Sequence, residues 1–326
     1  MSVLEGIYGA VIGARNSMYE SGGLRTERLQ GPVVSVGNIS VGGAGKTPFT
    51  ILLGGLLKQR GVEFDVISRG YGRGTSGVLE VNPDGSAQDY GDEPLLIARS
   101  LAVTVVVGEK RIEAGRYAEQ KYGPRLHLLD DAFQHRQLAR DFDIVMLSRG
   151  DLRDRLLPGG KLREPTSSLA RADVLVATDE VDGSMFHDFG KPVWSVRRSL
   201  ILPEMVPAKV IAFCGIARPE KFFADLHAAG VSPMKQVAFR DHHRYRAADI
   251  RELIAEQQRT GAAGFITTAK DEINLGTLAS QLHGVCVARV GMELENSGEA
   301  LDFLVHTLET RKRVCRQQDS ATGRCS

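Results

Sequence analysis

The residues best suited to chemistry begin at Ser40, where Ser40, Val41, Gly42, Gly43, Ala44, Gly45, Lys46 and Thr47 follow a short apolar run, Val33 to Val36. A helix-compatible stretch, Thr50 to Lys58, comes next. Glycines in that setting turn backbone N–H groups inward on an anion, and the helix N-terminus adds partial positive charge. Lys46 is then placed to bridge the β and γ phosphates of a nucleoside triphosphate, and the Thr47 hydroxyl to ligate Mg2+. The first Gly of the usual G-x-x-x-x-G-K-[ST] pattern is Ser40 here, so the match rests on GGAGKT and on its place between strand and helix. A second anchor is LHLLDD, in which Leu126, Leu128 and Leu129 lead to Asp130 and Asp131. Carboxylates at the end of a strand beside the loop hold Mg2+ directly or through water. Together the two segments imply a Mg-nucleotide site.

Such a site needs a sheet to carry it. Short β-branched runs at Val33 to Val36, Phe64 to Ser68, Val103 to Val107, Leu126 to Leu129, Ile144 to Leu147 and Val174 to Ala177 alternate with longer helical stretches, as a parallel sheet with crossover helices requires. A second alternating set has strands at Val210 to Phe213, Phe265 to Thr268 and Val285 to Val290, with a helix at Pro219 to Ala229. The expected fold is α/β: a mostly parallel sheet of the P-loop NTPase type flanked by helices, with a second, smaller α/β domain. Between the two sets, Pro192, Pro203 and Pro207 break helical periodicity and leave Val193 to Val196 as an extended connection. The division expected is an amphipathic helix over 1–22, a nucleotide-binding domain over 23–200, a smaller domain over 201–310 that closes over the site, and a basic, polar, frayed tail over 311–326.

Composition narrows the classes. The chain of 326 residues holds 41 Lys plus Arg against 40 Asp plus Glu, a formal charge of +1, which argues against a surface that grips nucleic acid by counterion release. Cys214, Cys286, Cys315 and Cys325 have the spacing of neither a disulfide framework nor a zinc site, which points to a reducing setting. Neither a membrane-spanning run nor a signal peptide is expected. Leu4, Ile7, Tyr8, Val11 and Ile12 recur on one face of an N-terminal helix, and that face either packs on the body of the protein or lies on lipid.

Further segments narrow the class: VGNISVGGAGKTP (36–48), SRGYGR (68–73), GDEP (91–94), DDAFQH (130–135), LREP (162–165), AFCGIARPEKF (212–222), DHHRY (241–245) and TAKDEINL (268–275). In this order, over about Leu4 to Leu275, the chain resembles the tetraacyldisaccharide 4'-kinase family. The resemblance implies transfer of the γ-phosphoryl group of ATP, with Mg2+, to the 4'-hydroxyl of an acylated glucosamine disaccharide 1-phosphate, giving lipid IVA. It implies Asp92 as base paired with His242, Glu93 beside it, Gln134 and His135 in the cleft, and Asp130 and Asp131 on Mg2+. Arg111 and Arg163 are the candidates to grip phosphate, against the alternative of ordinary surface ion pairs. Read alone, GDEP is equally a helix start with Asp92 as N-cap and Pro94 in the first turn, and DHHRY a surface turn. A glycolipid acceptor implies peripheral contact with the cytoplasmic face of a bacterial inner membrane; nucleic acid and an obligate protein partner are not expected. The chain departs from the family pattern at Ala132, Lys161 and Ala269, and Ser148 to Arg155 is unusually charged.

Two rivals carry weaker marks. A P-loop GTPase should show [NT]KxD, whereas TAKD has Lys270 directly before Asp271. A nucleotide-driven switch needs neither an acceptor nor a base.

Overall fold

The structure, a computed structural model, describes residues 2–43, 45–178 and 181–322, with side chains through Val314. Ala44 of the glycine-rich loop and Cys325 of the tail lie outside the described residues. The elements run α1 (Val3–Glu20), β1 (Val33–Asn38), α2 (Lys46–Gln59), β2 (Phe64–Ser68), β3 (Leu79–Glu80), α3 (Ala87–Tyr90), α4 (Asp92–Leu101), β4 (Val105–Val107), α5 (Arg111–Tyr122), β5 (Leu126–Asp130), β6 (Phe142–Leu147) and β7 (Val174–Thr178). They continue with β8 (Val193–Ile201), β9 (Val210–Cys214), α6 (Pro219–Ala228), β10 (Lys235–Ala238), α7 (Ala247–Thr260), β11 (Gly264–Thr268), α8 (Ala269–Leu275), β12 (Val285–Leu294) and α9 (Ser297–Thr322).

Among the described residues the twelve strands fall in one order, β10-β9-β11-β12-β8-β7-β6-β1-β5-β2-β4-β3. From β8 to β4 neighbouring strands are parallel, and so are β10, β9, β11 and β12 among themselves. The two parallel sets are joined by one antiparallel pair, β8 with β12. β12 serves both: its first half pairs with β11 up to Thr268↔Ala288, and its second half pairs with β8 from Ile201↔Arg289 onward. The carboxyl ends of β8 and β11 therefore meet near the middle of β12. Ligands of open α/β sheets bind beyond the carboxyl ends of strands, and here two such edges converge.

β1, β2, β4, β5 and β6 are buried along their whole length, which explains why they read as continuous apolar runs. β8 differs from expectation. Pro192 and Pro203 bracket it instead of breaking it, and its nine residues form an integral strand whose burial alternates. The expected boundary near 200 thus falls at the end of that strand. The C-terminal region differs as well: α9 returns to the first set of strands, burying Ala300, Leu301, Leu304 and Leu308 in the core shared with Val36, Phe142 and Trp194. Far from fraying at 311, the helix continues to Thr322, and Arg311 pairs with Asp173 at 2.6 Å.

α1 is built the other way round from an ordinary surface helix. A capping box between Ser2 and Glu5 starts it. Glu5 and Asn16 are buried against the body, while Leu4, Ile7 and Val11 are 65%, 57% and 59% exposed. The single apolar face expected from the spacing is split: Tyr8 and Ile12 are half-buried, and the rest points outward. No helix among the described residues is long and apolar enough to cross a membrane.

Truncating Leu304, fully buried in the joint core, to Ala should cost about 2–5 kcal/mol of stability. Urea denaturation checks this; a loss under about 0.5 kcal/mol, the range of an exposed site, would mean α9 is not seated on the first core.

Candidate active site

The glycine-rich loop leaves β1 with its first position tied to a neighbouring segment. Ser40 bridges Leu162, Val41 N–H donates to the Lys161 carbonyl at 2.8 Å, and Arg163 N–H to the Ile39 carbonyl at 2.7 Å. Ser40 is thus held by strand-like pairing in a conformation open to any residue, and its φ is not positive, which accounts for a non-glycine there. Gly45 is different. It sits at φ +79° as N-cap of α2, and a Cβ on it would lie 2.8 Å from Met292 Cε. Met292 belongs to β12, so the second set of strands reaches over the loop.

Behind the loop, Asp130 ends β5 fully buried. It accepts hydrogen bonds from the Thr47 hydroxyl at 3.2 Å and the Thr50 hydroxyl at 2.9 Å. Burial raises its pKa, and the charges of Glu93 and Asp131 add to the rise. Asp131 follows at φ +49° and turns toward the cations: Lys46 Nζ is 3.6 Å and Arg163 Nη1 3.2 Å away. Burial alone would raise Asp131, but those two charges outweigh it and lower its pKa. Ala132, one of the departures from the family pattern, is buried and does not sit at positive φ, so the position does not require glycine on backbone grounds.

No group of three or more His, Cys, Asp or Glu able to hold a metal occurs among the described residues. A Thr hydroxyl beside a buried carboxylate that is short of compensating charge nevertheless suits Mg2+, which takes few protein ligands and completes its shell with phosphate oxygens and water.

On the other side of the cavity stands Asp92. Gly91, at φ +90°, lets the chain pass close under the SRGYGR turn, where a Cβ would lie 2.9 Å from the Tyr71 carbonyl oxygen. Asp92 then opens α4 as its first residue, with Gly91 rather than Asp92 as N-cap. Its carboxylate is only 4% exposed. The Nδ1 of His242 lies 2.9 Å from one carboxylate oxygen and 3.1 Å from the other, and Asn274 donates at 3.1 Å. Burial pushes the Asp92 pKa up, but the hydrogen bond from His242 and the charge of Lys270 overcome it and bring it to about 2. His242, at φ +56°, has its pKa raised chiefly by the same hydrogen bond.

Arg111 begins α5 and is buried, its pKa lowered to about 10 by burial and the nearby Arg69 charge. Its Nε and the Nε2 of His135 are buried with no hydrogen-bond partner among the described residues. Burial and the charges of Arg111, Arg140, Arg15 and Arg69 lower His135 to about 4, so it is neutral in an electropositive corner. Gln134 donates to the Asn38 carbonyl at 2.8 Å. α1 is wired to these segments: Tyr8 donates to the Arg163 carbonyl at 3.0 Å, Arg15 to the Gln134 carbonyl at 3.0 Å, and Asn16 to Glu164 at 2.9 Å.

Gly42, Gly43, Gly45, Lys46, Thr47, Glu93, Arg111, Asp130, Asp131, Gln134, His135, Arg163 and His242 all line one cavity of about 980 Å³ between the converging strand ends. Asp92 lies just behind its wall. Sequence reasoning missed Lys270 and Asn274, which also meet Asp92. Their signal was present in TAKDEINL: four residues apart on α8, they share one helix face.

Asp92 yields a pH prediction. Its folded pKa of about 2 lies below the ordinary 3.8. The stability it contributes, about 2 kcal/mol, is therefore fully present above the ordinary value and lost as pH falls through the folded one. Denaturation of wild type and Asp92→Asn should differ most above about pH 5 and converge toward about pH 2; a difference that does not change with pH would count against the pairing.

Similarity to known proteins identifies the family. The family model described as tetraacyldisaccharide-1-P 4'-kinase matches residues 1–309. A tetraacyldisaccharide 4'-kinase of Koribacter versatilis is 50% identical over 321 residues, covering 96% of this chain and all of that protein. One of Aquifex aeolicus is 39% identical over 286 residues, covering 82% and 87%. A crystal structure of LpxK from Aquifex aeolicus in complex with ATP superposes with a TM-score of 0.77 at 34% identity, covering 94% of this chain and 97% of that one. With residues 1–309 matched and its fold shared, the chain belongs to the tetraacyldisaccharide-1-P 4'-kinase family.

Proposed function

We propose that this kinase moves the γ-phosphoryl group of ATP onto the 4'-hydroxyl of a tetraacyldisaccharide 1-phosphate at the cytoplasmic face of a bacterial inner membrane, giving lipid IVA. The observation that carries the reading is the cavity itself, with a phosphate-binding P-loop on one wall and a carboxylate–imidazole pair on the other. Backbone amides near Gly42 to Lys46 receive the phosphates, with Lys46 on the β and γ groups. Thr47 and Asp130, with Asp131 nearby, would hold Mg2+, which would supply charge neutralisation for the transferring group. Lys46 and Arg163 rest on Asp131 until phosphate oxygens compete for them. Arg111, a buried cation lining the same cavity, supplies positive charge for an anionic group of the substrates.

Asp92 accepts the proton of the attacking hydroxyl. A carboxylate held to about pKa 2 is a weak base, but in phosphoryl transfer the proton leaves late, when positioning matters more than basicity. The partner His242 comes from the smaller domain, expected over 201–310 and proposed here to end where α9 begins at Ser297, so the pair is complete only when that domain lies over the P-loop. Mg-ATP with a disaccharide 1-phosphate lipid should yield a product bearing one new phosphate at the 4' position by mass spectrometry. Asp92→Ala should lower turnover by about 10²–10⁴-fold with nucleotide affinity unchanged; an unmodified acceptor with wild type would reject the reading.

The outward apolar residues of α1 support docking on lipid, because chains worth about 0.8 kcal/mol per buried methylene keep the substrate in the bilayer. Since the inward face of α1 holds the backbone of Arg163 and Gln134, docking places the cavity at the membrane surface. Ile7→Asp with Val11→Asp should reduce vesicle binding and activity on lipid while leaving ATP affinity intact; unchanged partitioning would reject the docking role.

A further inference from the structure

Lys270 has no part in the reading above, yet its ammonium group occupies the centre of the acidic cluster where the two sets of strands meet. Nζ lies 3.3 Å from His242 Nε2, 3.4 Å from Asp241 Oδ1, 3.6 Å from Glu93 Oε1 and 3.7 Å from Asp92 Oδ2. An ammonium group has three N–H donors and no acceptor. Toward His242 Nε2 it therefore only donates, which requires a lone pair on that nitrogen and places the ring proton on Nδ1. Nδ1 faces the Asp92 carboxylate at 2.9 Å. The cluster then reads in one direction: Lys270 donates to His242, and His242 donates to Asp92.

We propose, building on the role of Asp92 as base, that Lys270 is a positioning residue that fixes His242 as the neutral Nδ1–H tautomer, so that His242 orients Asp92 without relaying its proton. In the transfer step the acceptor oxygen bonds to the γ phosphorus, the bond from that phosphorus to the β–γ bridging oxygen breaks with its electron pair leaving on ADP, and the hydroxyl proton passes to Asp92. With Nδ1 already protonated, the proton has no path into the ring and returns to solvent from Asp92 after product departs.

The groups around the imidazole decide the effect of removing Lys270. α4 presents Asp92 and Glu93, the loop between β10 and α7 Asp241, and α8 Lys270 and the neutral Asn274; the Tyr71 ring packs at 5.2 Å between centroids. Asp271 is turned away, accepting from Gly215 N–H and the Tyr245 hydroxyl. Lys270 is the cation opposing these carboxylates, and its charge counteracts the raised pKa of the ring. In Lys270→Met the carboxylates act unopposed, and the imidazolium persists to higher pH.

The test is long-range 1H–15N correlation spectroscopy of the full chain with 15N-labelled histidine, His242→Gln assigning the signals. At about pH 8, above the ordinary histidine range, wild type should show a protonated Nδ1 and a bare Nε2. Lys270→Met should raise the ring's titration by about one pH unit and lower kcat about tenfold, with the acid limb of the kcat profile shifted equally and the KM for ATP unchanged. Lys270→Arg, also a donor-only cation, should keep the tautomer and recover part of kcat. A protonated Nε2 in wild type, which needs no variant to fold, overturns the proposal. So does a Lys270→Met protein with the wild-type ring titration and a uniform loss of kcat. The spectra require no lipid acceptor, so they judge the tautomer independently of whether phosphoryl transfer occurs.

Discussion

The structure depends on the antiparallel register between β8 and β12. A parallel sheet has one functional edge, at the carboxyl ends of its strands, and a second parallel set continued in the same direction would only lengthen that edge. Reversing direction once, with Ile201 opposite Arg289 and Thr268 opposite Ala288, aims two such edges at each other. The phosphate loop, the Asp130–Asp131 turn and the start of α4 come from one; His242, Lys270 and the residues following β9 come from the other. No single loop builds the site.

Convergence also explains the electrostatics. Carboxylates and cations gathered at low dielectric must compensate each other, because an unpaired buried charge is far more costly than a paired one. Asp131 has Lys46 and Arg163, and Asp92 has His242, Lys270 and Asn274. Asp130 has the Thr47 and Thr50 hydroxyls as donors, neither of them charged, and its raised pKa registers the shortfall. Arg111 and His135 show the opposite imbalance, an excess of positive charge around buried nitrogens. A cation near the first and an anion near the second are what the field asks for.

Much of this was legible in the residues. Strands buried on both faces produce uninterrupted β-branched runs, so β1, β2, β5, β6 and β7 could be read almost to their ends, and the loop and carboxylate pair followed from their positions after β1 and β5. β8 was obscured because prolines at both margins resemble a linker, and what makes it a strand is pairing with β7 on one side and with β12, some ninety residues away, on the other. The reach of α9 was hidden similarly: Leu301, Leu304 and Leu308 have helical spacing, but spacing does not say which core they enter. For α1, periodicity found the apolar residues and missed that Glu5 and Asn16 are the ones turned inward. Lys270 and Asn274 stood in a recognised motif, but their purpose depends on a carboxylate from a distant segment.

The β8–β12 pair has a mechanical consequence. Residues between Ile201 and Arg289 leave and rejoin the sheet on adjacent, hydrogen-bonded strands, and α9 then carries the chain back onto the first core. The segment between them is therefore mounted on a two-stranded ribbon, which it leaves through the irregular stretch 202–209 and rejoins directly along β12. A ribbon resists stretching and shear through its ladder but yields to torsion, since strand twist varies widely at little cost. Rotation about the ribbon's long axis is then the least costly way for the segment between Ile201 and Arg289 to move against the phosphate loop.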